Sequence, residues 1–359
     1  MGSIILYGGI ILTTSILAEC TVKIKNKFIK AYFALLMLIV PAFFSGVRYG
    51  IGTDYYNYVI TFEQSKNNIE NRIEIGYNLL NKAISLLGGN AQVGFFVVSL
   101  LTILFVYLAL YEHKDKLSVG IGMFVYMLVN YQASFNNVRQ LLAVAILLFS
   151  TKYVFKKKII KFMICVLFSA SIHTTALFFI PVYFMYFIVE KKTRLSLQFL
   201  LWGIIMLLVL YADLILLKLI NIFPVLYMYG VYLDNAVAES QGHLMMDISN
   251  LPYILPGIFL YSFIKKHDHR FVFYYMLLVI GFIIQFASRG VFATISLRAS
   301  IVFFSAFTFV IPYYIRILNS MKLVVISYLI LIILIVIWLI FLFHFNNNQT
   351  VPYQWIFSI

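Results

Sequence analysis

Residues 322–343 read KLVVISYLILIILIVIWLIFLF, an apolar run whose only charge is the lysine at its start. A helix rises about 1.5 Å per residue, so roughly 20 such residues cross the hydrocarbon of a bilayer. The stretch is predicted to be a transmembrane helix, and the pattern repeats back along the chain. Apolar runs separated by short polar clusters lie at 4–20, 31–47, 92–110, 118–134, 140–155, 159–173, 174–189, 195–219, 251–264, 271–288 and 291–315, which with 322–343 makes twelve candidate spans. The runs at 159–173 and 174–189 are short for two full crossings, so tilted or half-membrane helices stay open there.

Composition agrees. Hydrophobic residues are 63% of the 359, charged residues 11%, and mean hydropathy is +0.96. A soluble domain carries about 25% charged residues, so this chain has too few to clothe a water-facing surface. The expected fold class is all-α: a polytopic transmembrane helical bundle of about twelve helices, forming one integral membrane domain over 1–359. Cys20 and Cys165, the only cysteines, give neither a disulfide framework nor a zinc pattern. The first run has no cationic segment before it and lysines after it, which reads as an uncleaved span, not a removable signal peptide. The net charge of +14 would suit nucleic acid if it formed one patch. The lysines instead sit in small clusters between spans, as topology requires, so nucleic acid is not an expected partner.

Placing the loop with Lys23, Lys25, Lys27 and Lys30 in the cytoplasm and alternating puts 19 of the 27 Lys and Arg inside and both termini outside. Lysine outnumbers arginine 16 to 3 on the inner side, whereas arginine leads 5 to 3 on the outer side. Topology explains the lysines. The outer arginines (Arg48, Arg72, Arg139, Arg289 and Arg298) run against that bias and need another reason. Two external stretches are long enough to fold over the membrane: 48–90, with an amphipathic helix near 75–87 suited to the interface, and 221–250. Residues 346–349 read as a solvated end.

Four constellations could carry chemistry. Arg48-Tyr49-Gly50-Ile51-Gly52-Thr53-Asp54-Tyr55-Tyr56 follows the second span, and its glycines permit a turn with positive φ. An arginine fork suits phosphate oxygens, with Asp54 to orient it or a sugar hydroxyl; a glycine turn with an Arg–Asp surface pair is the plain alternative. Asn136, Arg139 and Gln140 share one face at the start of the fifth span, aimed into the bundle or a wet cavity, or else acting as a cap with a snorkelling arginine. His173 lies among small hydroxyl residues between Ser169 and Thr175, either as a base that takes a proton near neutral pH or as a tie between helices. Gln285, Ser288 and Arg289 share a face of the tenth span, and Thr294 and Arg298 stand four apart just beyond. A guanidinium within the membrane costs roughly 2.5–3.5 kcal/mol unless an anion meets it. The chain has no Walker A loop, no H-E-x-x-H and no G-x-S-x-G elbow, so a nucleotide-driven pump or zinc protease is unsupported.

In order along the chain, these elements resemble the EpsG/Wzy-like polysaccharide polymerase family. R-Y-G-I-G-T-D-Y-Y-N-Y (Arg48 to Tyr58) is similar to its R-x-G-x-G-T-D-Y-x-x-Y element. N-N-V-R-Q-L-L-A (from Asn136) and S-I-H-T-T-A-L (from Ser171) match its R-Q-x-x-A and H-x-[ST]-A-L elements. Arg298 with Val310-Ile311-Pro312 resembles its late arginine-bearing span, although the tyrosine usual near that arginine is replaced here by Ser300 to Phe304. The resemblance covers about 30–315. It implies a bacterial multi-pass enzyme, with a glycosyltransferase-C-like bundle as one form the fold could take. Such enzymes join polyprenyl-diphosphate-linked oligosaccharides into O-antigen, capsule or exopolysaccharide at the outer face of the cytoplasmic membrane. They use no nucleotide sugar, no metal and no cofactor, and membrane lipid, a flippase and a chain-length regulator are the implied partners. On this reading His173, Asp54 and Arg298 are catalytic, with His173 and Asp54 rivals for the base. Arg48, Thr53, Tyr55, Arg139, Gln140 and Arg289 bind substrate and its diphosphate. A lipid-linked oligosaccharide flippase, or another membrane glycosyltransferase or ligase using the same donors, is the alternative.

Overall fold

The computed structural model describes residues 2–190, 243–287, 293–346 and 348–358, with five single positions between 203 and 218. Helices are the regular structure of the described residues, and the only bridge between extended segments among them pairs Arg48 with Trp355. By their packing they fall into two units, Met1–Ile180 with Ile311–Ile359, and Pro181–Val310.

The first unit holds α1 (Gly2–Lys23), α2 (Lys27–Gly46), α3 (Tyr55–Lys66), α4 (Ile75–Leu86), α5 (Ala91–Tyr111), α6 (Val119–Asn130), α7 (Val138–Phe155) and α8 (Ile159–Ile172). Polar residues start three of them. The Asn26 side chain accepts from the Phe28 and Ile29 amides, Asn90 from Val93, and Ser118 from Ile121, so amides orphaned at each helix start are satisfied. Ends alternate as the sequence predicts. At one end Glu19 of α1 accepts from Ser118 and from the Gly120 amide, and Lys156 pairs with Glu112. That end carries Lys23, Lys25, Lys27, Lys30, Lys114, Lys116 and Lys156 to Lys158. The opposite end carries the start of α1, the 48–54 loop, the start of α7 and the end of α8.

Within 48–90 the structure builds α3 and α4. Tyr77 of α4 joins a core with Val98 of α5, Val138 and Leu142 of α7 and Ile172 of α8. Gly76 permits this approach, since a Cβ there would stand 2.7 Å from the Ser171 carbonyl oxygen. Ile75, Leu79 and Leu86 stay exposed on the other side of α4, an apolar face suited to the membrane interface.

The second unit contains α9 (Val182–Glu190), α10 (His243–His267), α11 (His269–Ala287) and α12 (Ala293–Phe304). Residues 243–250, expected in the second external loop, begin α10. Gln285 donates to Asp247 at 3.4 Å and accepts from Asn250 at 3.0 Å, so this buried face of α11 is joined to α10. Arg289 and most of the 195–219 span and the 221–250 loop lie outside the described residues.

The predicted 291–315 span comes as two helices, α12 and α13 (Phe307–Ser320), broken at Ser305 and Ala306. The Ser305 hydroxyl there donates to the Ile301 carbonyl at 2.7 Å, an alternative partner for the helix backbone. The 118–134 span likewise ends at Asn130 and continues as the 3₁₀ turn Ala133–Phe135, and 174–189 starts as the 3₁₀ turn Thr174–Phe179 before α9. The last long helix, α14 (Val324–Ile340), leaves Val325, Tyr328, Leu329, Ile332 and Val336 exposed, a side chain set that only hydrocarbon suits. Among the described residues, seven helical segments are long and apolar enough to cross a membrane, with Ser296–Ser320 counted as one across the turn at Ser305 and Ala306.

Candidate functional site

The 48–54 loop leaves α2 through two left-handed glycines, Gly50 at φ 63° and Gly52 at φ 94°. Gly52 is needed for space as well, because a Cβ would meet the Asn136 Oδ1 at 2.5 Å. The turn sends the Arg48 side chain inward, where it is completely buried. Its guanidinium lies over the rings of Phe95 and Phe135, at 4.4 and 4.3 Å from their centroids. Among the described residues, none of its three nitrogens has a hydrogen-bond partner. The titratable groups that act on it include the tyrosines Tyr131, Tyr58, Tyr7, Tyr55, Tyr77 and Tyr353, and among the described residues no carboxylate forms an ion pair with it. Asp54 therefore does not pair with Arg48; its half-buried carboxylate makes no hydrogen bond or ion pair among the described residues.

The segment after α14 closes over this arginine. The Tyr49 amide donates to the Gln354 carbonyl at 3.0 Å, Ile356 to Val47 at 2.9 Å, and Gly52 to Gln349 at 3.1 Å. The Tyr7 hydroxyl donates to the Thr350 carbonyl at 2.8 Å, and the Tyr353 hydroxyl to the Phe44 carbonyl at 2.7 Å. Asn136 donates through Nδ2 to the Asn348 carbonyl at 3.1 Å. The expectation of a solvated end at 346–349 is thus corrected for Asn346 and Asn348, which are half-buried and hydrogen-bonded, while Gln349 is exposed. The Asn346 side chain accepts from the amides of Thr350 and Val351, and Thr350 is buried. Its polar residues serve as hydrogen-bond partners for loop backbone, which their composition alone reads as solvation.

A second cluster forms where α7 begins, α8 ends and α4 starts. Glu74, immediately before α4, pairs through Oε2 with Nη1 of Arg139. Its other oxygen lies 3.4 Å from Nδ1 of His173 and accepts the Thr174 amide at 3.1 Å. The chain breaks from α8 at His173, whose extended backbone (φ −153°, ψ 120°) turns the imidazole towards Glu74. His173 is 8% exposed, and the Arg139 and Glu74 side chains are 24% and 15% exposed, so this corner opens to the outside where Arg48 does not. Arg139 also lies 5.9 Å from the Tyr77 ring.

Aromatic side chains join the two clusters. Tyr58 packs edge-on against Tyr77 and against Phe95, and donates its hydroxyl to the Asn136 carbonyl at 3.0 Å. It also contacts the Arg139 guanidinium. Arg48 and Arg139 are therefore connected through Phe95, Tyr58 and Tyr77. Of the remaining expected residues, Tyr55 is buried with its hydroxyl accepting from Gln92 at 2.5 Å, Gln140 is buried, and Thr53 is exposed. Arg298 stands exposed on α12 of the second unit. Glu74, Phe95, Phe135 and the 348–356 strap were not foreseen. The available signal for Glu74 was an acidic residue just before an amphipathic helix, where it also suits the helix dipole.

Helices of this length and apolarity, in alternating directions with lysines gathered at one end, define a multi-pass, all-helical membrane protein. The EpsG family model matches residues 13–355, and the chain belongs to the EpsG family. Membership gives it a membrane polysaccharide polymerase-like role of the glycosyltransferase kind. No curated protein and no solved structure matches the chain.

Proposed function

We propose that the chain joins polyprenyl-diphosphate-linked oligosaccharide repeat units into a surface polysaccharide, at the outer face of a bacterial cytoplasmic membrane. One observation carries this reading: Arg139 on α7 and His173 just past α8 meet on a single carboxylate at the end of the unit where Arg48 lies. The lysines at the other end support a cytoplasmic position for it, by the positive-inside rule.

The reaction needs a place for leaving charge and a place for a proton. The acceptor hydroxyl oxygen bonds to the anomeric carbon of the donor. The bond from that carbon to the phosphate oxygen breaks, and its electron pair departs on the lipid diphosphate. Arg139 is positioned to meet that charge without reorganisation, in a boundary layer where the dielectric is low. The acceptor proton goes to the imidazole of His173, a step worth roughly 10²–10⁴-fold in rate. Asp54, without an ion-pair partner, is the rival base.

Arg48 supplies the second cation. A buried guanidinium with no hydrogen-bond partner is costly, and a diphosphate oxygen would relieve the cost. The 348–356 strap covers it, so strap movement accompanies diphosphate entry. Thr53, Tyr55 and Gln140 lie at the same end of this unit.

The test is reconstitution in vesicles with purified lipid-linked repeat units and no nucleotide sugar. Polymer is the expected product. Exchange of the units between leaflets without new glycosidic bonds would overturn the reading in favour of a flippase.

A further inference from the structure

Arg139 and His173 would serve different halves of one transfer, and each needs a fixed place relative to the other. The structure supplies that through a third residue. One oxygen of Glu74 holds the Arg139 guanidinium, and the other faces Nδ1 of His173 at 3.4 Å while accepting the Thr174 amide at 3.1 Å. The carboxylate is itself held in a defined place. It precedes α4, and α4 is anchored by Tyr77 in the core with α5, α7 and α8.

We propose that Glu74 is the positioning residue of this site, setting the distance between the cation that meets the leaving diphosphate and the base that takes the acceptor proton. The inference rests on the polymerase reading for what the two residues do, and on geometry alone for their coupling through Glu74. A carboxylate facing Nδ1 favours the tautomer with the proton on that nitrogen, leaving Nε2 as the basic atom. It also stabilises the imidazolium that forms once the acceptor proton arrives. Arg139 on the opposite oxygen tempers that effect. The other titratable groups facing this corner are Tyr58 from α3 and Tyr77 from α4. The neighbouring hydroxyls Ser171 and Thr174 complete it.

The sign of the pH effect follows. A negative neighbour favours the protonated imidazole, so its loss makes His173 harder to protonate. In Glu74→Gln, the acid limb of the polymerisation rate moves to lower pH by about one unit, and the plateau rate falls about 10²-fold as orientation is lost. Glu74→Asp, which keeps the charge on a shorter stem, retains the wild-type limb with a smaller loss of rate.

The experiment pairs that assay with one that needs no turnover. The rate of His173 acylation by diethyl pyrocarbonate is followed against pH by peptide mass spectrometry, with His173→Ala marking the signal. Neutral imidazole reacts, so the midpoint in Glu74→Gln should also fall by about one pH unit relative to wild type. An unchanged midpoint in Glu74→Gln would overturn the positioning role, even if that variant loses stability, as would a midpoint displaced equally in Glu74→Asp, which keeps the charge. Wild-type protein that makes no polymer, with the midpoint still displaced in Glu74→Gln, would instead overturn the polymerase reading and leave the coupling standing.

Discussion

Two arginines at the same end of one helical unit are held in opposite ways. Arg139 pairs with Glu74 and keeps a quarter of its side chain exposed. Arg48 is wholly buried between two phenyl rings, with no ion-pair or hydrogen-bond partner for its guanidinium among the described residues and a strap across it. A paired charge at a boundary is compensated before any ligand arrives. An unpaired one beneath the surface is a standing cost, which an incoming anion would lower. The contrast assigns Arg139 to a pre-set corner with a base beside it, and Arg48 to a site that becomes available when its cover moves.

The largest expected effect tests the paired corner. His173→Ala should lower polymerisation by about 10²–10⁴-fold and leave single lipid-linked units accumulating. Normal chain length on a polysaccharide gel would remove His173 from the mechanism.

The arginines themselves should then separate by stability, not by rate. Arg48→Met and Arg139→Met each reduce polymerisation by about 10²–10³-fold. Arg48→Met, which removes an unpaired buried charge at the loss of its contacts with two phenyl rings, is expected to raise stability. Arg139→Met strands the Glu74 carboxylate and lowers it by about 1–2 kcal/mol, after allowing for the partial exposure of the pair. Thermal unfolding in detergent reads both. Shifts of the same sign would break the comparison.

A smaller effect concerns the cover. Phenylglyoxal should modify Arg139 readily and Arg48 slowly, since the reagent reaches Arg48 only through opening of the strap. Tyr353→Phe deletes the hydrogen bond to the Phe44 carbonyl, worth about 1 kcal/mol, and should speed Arg48 modification about fivefold. Equal rates in the two proteins would mean that the strap does not control access. Least of all, Asp54→Asn should leave both chain length and unfolding temperature near wild type, because that carboxylate anchors neither arginine. A loss to match His173→Ala would make Asp54 the base.

The comparison also shows how far single residues announce themselves. Arg48, Arg139 and His173 were legible because charged or titratable groups at the ends of apolar runs are costly enough to need a reason. Glu74 was not, since a glutamate in a polar stretch needs none. Its partners stand 65 and 99 residues away, and no local pattern couples positions that distant. Phe95 and Phe135 were hidden in the opposite sense, as two of 35 phenylalanines. At 346–349, asparagines read as solvent-exposed because composition records hydrogen-bonding capacity without saying which partner satisfies it. In the 291–315 run, hydropathy continues through Ser305 and Ala306, where the helix breaks for two residues before resuming within the same candidate span.

By itself the sequence determined the all-helical membrane class, most span positions, the alternation of lysine-rich ends and the family. Those properties follow from transfer of apolar groups out of water and from local motif order, which act residue by residue along the chain. Only the tertiary structure decided which arginine is paired, which is sealed, and that one carboxylate joins a base to a cation. Such facts depend on distances across helices, and those are set by packing between segments remote in sequence.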